Sequence, residues 1–295
     1  MTYPFEPDSL VVPLVFLAVI LSISAMRSGR PGSIILAKWA LWICVSLGVA
    51  TTIQALGLSA RPLWVTALFC FLLWTLLETL YNWVAIDALS RSGIALFPPY
   101  KVNENGSEWP ADPAFIALRE TLRREQFHFV AAAIRPFGDS EQIRCPVYES
   151  GDGFHRMQIY FIPSQSGDLQ CFLSLATQIE GGFRIVTDNV FLPFGGFYPE
   201  NVFVERRPMT RSPGKLIARH LKRLARMEAV PVKWSVDPVT DMNEQQKQLE
   251  ELNVALGFFV EPAEREELGN ISREGRYRLW LEIWMLNYLG KPLSY

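Results

Sequence analysis

The side chains able to do chemistry are few and scattered. Asp152 and His155 flank a Gly-Asp-Gly turn, and an acid beside a histidine is the minimum for general acid–base work. His220 is the other weak catalytic candidate, on the apolar arc of a predicted helix. No nucleophile motif such as G-x-S-x-G accompanies either histidine, so no catalytic residue is assigned. The third histidine, His128, makes no H-x-x-x-H or H-E-x-x-H spacing with them, so no metal is expected. Phosphate loops of the G-x-x-x-x-G-K-[ST] or G-x-G-x-x-G type are missing, and no cofactor is expected. The four cysteines, Cys44, Cys70, Cys145 and Cys171, form no C-x-x-C pair and read as small buried apolar residues.

Binding residues are better represented. Lys215, Arg219, Lys222, Arg223 and Arg226 fall on one stripe of a helix opened by Ser212-Pro213. Nine bases and one acid lie between Arg206 and Lys233, whereas ten acids and three bases lie between Asp237 and Glu274. Either these two segments face each other, or the basic one meets anionic lipid headgroups. A last helix, about Arg276 to Leu289, carries Tyr277, Trp280, Trp284 and Tyr288 and is apolar nearly all round. It is too short to cross a bilayer, and such aromatics anchor protein interfaces, so it is the expected partner-binding element. Glu78 and Lys38 lie at similar depth in two apolar runs and are expected to pair or to snorkel to the interface.

The elements that position these residues divide sharply along the chain of 295 residues. Between Leu10 and Leu89 the only charges are Arg27, Arg30, Lys38, Arg61, Glu78 and Asp87. Three apolar runs there, about 9–26, 34–58 and 63–86, approach the roughly 20 residues that cross a hydrocarbon core. The acidic start before the first run is opposite to a signal peptide's basic one. Arg27 and Arg30 in the first loop and Arg91 after the third run place the N-terminus outside and the C-terminal region in the cytoplasm, at the plasma membrane. Ala40, Cys44, Gly48 and Thr52 recur at four-residue spacing in the second run, a stripe on which helices bundle or the chain self-associates.

After a Pro/Gly/Asn-rich linker over 93–111, residues 112–295 read as one α+β domain. Asp112-Pro113 starts a helix. Strands are expected near 127–134, 143–149, 155–162, 169–179, 183–189 and 201–206, joined by turns short enough for an antiparallel meander. Helices follow over about 212–289. The fold class is therefore α+β: three N-terminal transmembrane helices, then a cytosolic antiparallel meander flanked by helices.

A net charge of −2 excludes a dominant nucleic-acid binder, and the charge distribution excludes a simple soluble enzyme. The leading expectation is a non-enzymatic membrane protein that binds another membrane or membrane-proximal protein, as an accessory subunit or assembly factor. A second is a lipid or small-ligand sensor, with Phe154, Tyr160, Phe161, Phe172 and Phe183 lining a cavity under the sheet. A membrane-proximal hydrolase using His155 or His220 ranks below both, and a small-solute transporter last.

Overall fold

In a computed structural model, residue 13 and residues 16–24, 31–93, 95–137, 141–163 and 169–293 are described. Among the described residues two helices are long and apolar enough to cross a membrane, where three were expected: α1 (Pro31–Ala55) and α2 (Leu63–Arg91). Of the expected first run, Pro13 and residues 16–24 are helical, and the remainder lies outside the described residues. The two long helices pack as a hairpin over small residues, with Ala37, Cys44, Ser46, Ala50, Thr51 and Cys70 buried. The seam differs from the expected stripe: Cys44 is buried, but Thr52 is exposed and a methyl group on Gly48 would touch nothing. Leu68, Phe69, Leu72, Leu76 and Leu80 face outward on α2 as a continuous apolar surface.

The domain is built on an eight-stranded sheet. Its strands are β1 (Lys101–Val102), β2 (Phe127–Phe137), β3 (Glu141–Ser150), β4 (His155–Pro163), β5 (Leu169–Ile179), β6 (Phe183–Asp188), β7 (Val202–Arg206) and β8 (Pro231–Val232). Strands β1 to β6 pair antiparallel in sequence order, β2 to β6 through short turns. The departure is β7, which pairs parallel to β6 because the loop 189–201 carries the chain back before it re-enters the sheet. The expected linker is also part of the fold, since it supplies β1 and the buried Tyr100.

Local signals start the helices. Asp112 accepts from Ala114 N (2.7 Å) to cap α3 (Pro113–Arg124), and Ser212 caps α4 (Pro213–Arg226). Asp237 accepts from Thr240 N (2.9 Å) at the start of α5 (Pro238–Ala255). A short α6 (Arg265–Leu268) precedes α7 (Arg273–Trp284), which Ser272 caps and which continues as a π turn over Met285–Leu289.

Alternation along the strands gives the sheet two buried faces. Met157, Ile159, Phe161, Leu173 and Leu175 form one core with Leu122 of α3 and Leu216 and Ile217 of α4. The opposite face carries Ala133, Cys145 and Val147 beneath Val239 and Met242 of α5. The basic and acidic segments thus lie on opposite faces of the sheet and do not face each other. What holds α5 down is a buried charge cluster. Arg156 pairs with Glu149 (2.7 Å) and Asp241 (3.3 Å), Arg184 pairs with Asp241 (2.6 Å), and both guanidiniums lie over the Trp234 ring.

Candidate functional site

The face under α5 is not filled along its whole length. Gln158, Tyr160, Phe172, Ser174, Val186 and Asp188 point from consecutive strands into a cavity of about 250 Å³. Met242, Gln245, Gln246 and Leu249 of α5 cover it, and Leu192, Tyr198 and Pro199 of the 189–201 loop close its side. Of the aromatics expected around such a space, Tyr160 and Phe172 line it. Phe161 instead belongs to the packed core of the other face, one residue and therefore one side away.

Polar groups converge on the cavity. The Tyr160 hydroxyl donates to Gln158 Oε1 (2.5 Å). Arg135 lies over the Tyr100 ring, 5.1 Å from its centroid, and its buried Nε has no hydrogen-bond partner. Asp188 accepts from Val190 N (3.1 Å) and sits 3.8 Å from Arg206. Burial pushes the Asp188 carboxyl up to about 6 although Arg206 pulls the other way.

The loop that walls the cavity is clamped from behind by α7. Glu282, fully buried, accepts from Phe194 N (3.0 Å) and Gly195 N, and its other oxygen binds Arg206 Nη1 (2.5 Å). Arg206 also donates to Val190 O (3.1 Å) and Leu192 O. Asn253 of α5 grips the same loop, accepting from Phe197 N (2.7 Å) and donating to Phe197 O (2.9 Å). Gly195 has φ +68°, and a Cβ there would stand 3.0 Å from the Leu279 backbone, so glycine is required. Neither Arg135, Asp188, Arg206 nor Glu282 stands out in the sequence. The available signal was the Gly195-Gly196 pair in an otherwise aromatic loop, which marks a close backbone approach.

Helix α7 then reaches the apolar hairpin. Arg276 pairs with Asp87, and Asn270 N donates to Ser90 O (2.7 Å), both near the end of α2. The Tyr288 hydroxyl donates to Glu78, Trp42 Nε1 donates to the same carboxylate (2.7 Å), and Trp39 Nε1 donates to Tyr288 O (2.9 Å). Lys38 and Glu78 therefore share Tyr288 in place of a direct ion pair. The ammonium lies 5.3 Å from the centre of the ring whose hydroxyl binds the acid. Among the expected partner-binding residues, Tyr288 is buried at 4% exposure, Trp280 and Trp284 are half-buried, and Tyr277 is 47% exposed.

The two histidines do come together, their rings 5.9 Å apart and perpendicular. Thr177 Oγ1 bridges His155 Nδ1 (2.7 Å) and His220 Nε2 (2.8 Å), and Thr187 Oγ1 meets His220 Nδ1 (2.9 Å). Both ring nitrogens of His220 are thus held by threonines. Burial pulls its pKa down to about 3. Asp152 binds Ser150 Oγ (2.6 Å), the same hydroxyl that accepts from His155 N. On the basic stripe, Arg219 and Arg223 pair with Glu205, while Lys222 and Arg226 are exposed. Lys215 and Arg219 line a second, open cleft of about 820 Å³ beside Pro31 and Gly32 at the start of α1.

The chain matches no known family model, no curated protein and no solved structure, so the geometry alone carries the functional argument.

Proposed function

We propose that this chain is an integral membrane protein of the cytoplasmic membrane whose cytoplasmic α+β domain binds a small, largely apolar ligand. The observation that carries the reading is the cavity between the sheet and α5, where Tyr160, Phe172 and Val186 supply an apolar wall and Arg135, Gln158 and Asp188 supply convergent polar groups. A concave apolar space with a few polar groups and a shifted carboxyl is the usual form of a ligand site. The outward apolar faces of α1 and α2 support the membrane anchor. Arg27, Arg30 and Arg91 lie at the ends of the apolar runs joined to the domain, which supports a cytoplasmic domain.

The docking of α7 changes the weight of the partner-binding reading. Its aromatic side chains are used in part within the chain, through Tyr288 on Glu78 and Trp42, and Tyr277 is the most exposed of the four. The same docking suits a sensor, because Glu282 joins the cavity's loop to the helix that grips the hairpin.

The test is native mass spectrometry of the full chain in lipid nanodiscs, with a Ser174→Phe variant that fills the cavity. A small molecule retained by the wild type and lost from the folded variant is the expected result. Retention by both, or stoichiometric recovery of a partner chain with no small molecule, overturns the reading.

A further inference from the structure

We infer that the ligand of this cavity is an amphipathic acid, a carboxylate on an apolar body, and that Arg135 holds its carboxylate. The inference rests on the cavity reading above and names the chemistry of its occupant.

The charges around the cavity are unequal in what they still need. Asp188 is the acid on its wall, and Arg206 already faces it at 3.8 Å. Arg206 in turn is satisfied by Glu282 and by the carbonyls of Val190 and Leu192. Arg135 is the cation on the wall, and among the described residues no carboxylate pairs with it. With its amide oriented to suit both neighbours, Gln246 accepts from Arg135 Nη1 (2.9 Å) and donates to Pro98 O (3.0 Å). That leaves the buried Nε without a partner and the half-buried guanidinium over the Tyr100 ring.

A guanidinium on the wall of an apolar cavity matches a carboxylate in charge and shape. A neutral apolar ligand would leave that charge further desolvated and unpaired, and a cationic one would add repulsion. The apolar part of the wall, Ile162, Phe172, Val186, Val190 and Val204, offers dispersion, and the other polar lining residues, such as Gln158 and Ser174, are uncharged. Around 250 Å³ is below the range of about 300–1,000 Å³ that suits drug-sized ligands, so the body is short.

The experiment titrates octanoate, octanol and octylamine into the full chain in nanodiscs, with empty nanodiscs subtracted. Wild type, Arg135→Gln and Ser174→Phe are compared, with Val204→Phe as the second cavity-filling variant should Ser174→Phe not fold. The expected result is that octanoate binds best to the wild type. Its Kd weakens about ten- to a hundred-fold in Arg135→Gln, the scale of one charge-assisted contact, while octanol binding is unchanged. Octanoate and octanol binding equally, with both lost on filling the cavity, overturns the acid class and leaves the cavity reading standing. Equal losses of octanoate and octanol in Arg135→Gln make Arg135 a structural residue and overturn its role. Binding of neither compound, or binding that the filling variants do not touch, overturns the cavity reading as well.

Discussion

The two faces of the sheet are made by alternate residues of the same strands, yet one is packed and the other hollow. On one side Met157, Ile159 and Phe161 meet α3 and α4 with every side chain fully buried. On the other Gln158, Tyr160 and Ile162 look into open space beneath α5. Two helices press directly on the first face. The second has one helix, held at its start by the Arg156–Asp241 cluster, and a loop held from outside by Glu282. Apolar contact closes the first face, whereas on the second Val239 and Met242 pack only part of α5 and hydrogen bonds and buried ion pairs hold the elements around the cavity. A cavity therefore survives where the covering elements are tied down by charges at their edges and not by side chains in the middle.

The contrast can be broken first by truncation. Phe161→Ala on the packed face is expected to cost about 3–5 kcal/mol. Phe172→Ala borders existing space and is expected to cost less than half of that, because little new cavity is made. Equal losses in urea unfolding of the two variants would show that the faces are alike. The counterpart of Phe161 on the hollow face is Glu282. Its change to Ala strands Arg206 and two loop N–H groups, at about 3–5 kcal/mol.

Enlargement should show the same difference on a smaller scale. Leu175 and Ser174 are neighbours on β5 that point to opposite faces. Leu175→Phe should cost about 1–3 kcal/mol by overpacking, while Ser174→Val is expected within about 1 kcal/mol of the wild type. Matching melting shifts would contradict the hollow face.

The faces should also respond to acid with opposite sign. His220, on the packed side, has a pKa of about 3 in the fold against 6.5 unfolded, so it stabilises the fold above pH 6.5. That contribution is lost as pH falls from 6.5 toward about 3, because the unfolded chain binds the proton first. Asp188, on the hollow side, is raised from 3.8 to about 6. Its contribution is present below 3.8 and lost as pH rises through about 6. Stability measured across about pH 3–7 should therefore show the advantage of wild type over His220→Gln growing with pH. The advantage over Asp188→Asn should shrink. Parallel profiles would defeat the assignment. The smallest effect expected is that of Tyr288→Phe, about 1 kcal/mol, with a change in tryptophan emission because Trp42 shares the Glu78 carboxylate with the lost hydroxyl.

Much of the scaffold was legible because its signals are local. Asp112-Pro113 and Ser212-Pro213 each begin a helix, and the turn residues bound β3 to β6 within a few positions. The parallel β7 was not legible, since nothing near Val202 records that the 189–201 loop crosses over before pairing. The site was legible only in part. Tyr160 and Phe172 were expected to line a cavity and do, but Phe154, Phe161 and Phe183 were grouped with them although alternation sends Phe161 to the other core. Arg135, Asp188 and Glu282 carry no motif, because each gains its importance from partners far along the chain. The Lys38–Glu78 expectation missed Tyr288, which comes between them from 210 residues beyond Glu78.

By itself the sequence determined that an apolar region of long helices, read as three where the described residues hold two long enough to cross a membrane, precedes an α+β domain. It also determined where the strands and most helices begin, because caps, turns and hydrophobic period act within a few residues. The tertiary structure alone decided which face of the sheet is filled, which charges meet, and that the aromatic C-terminal helix returns to the hairpin. Those outcomes depend on how elements distant in sequence fit together. A period of two assigns a residue to a side of the sheet and does not say what will cover that side.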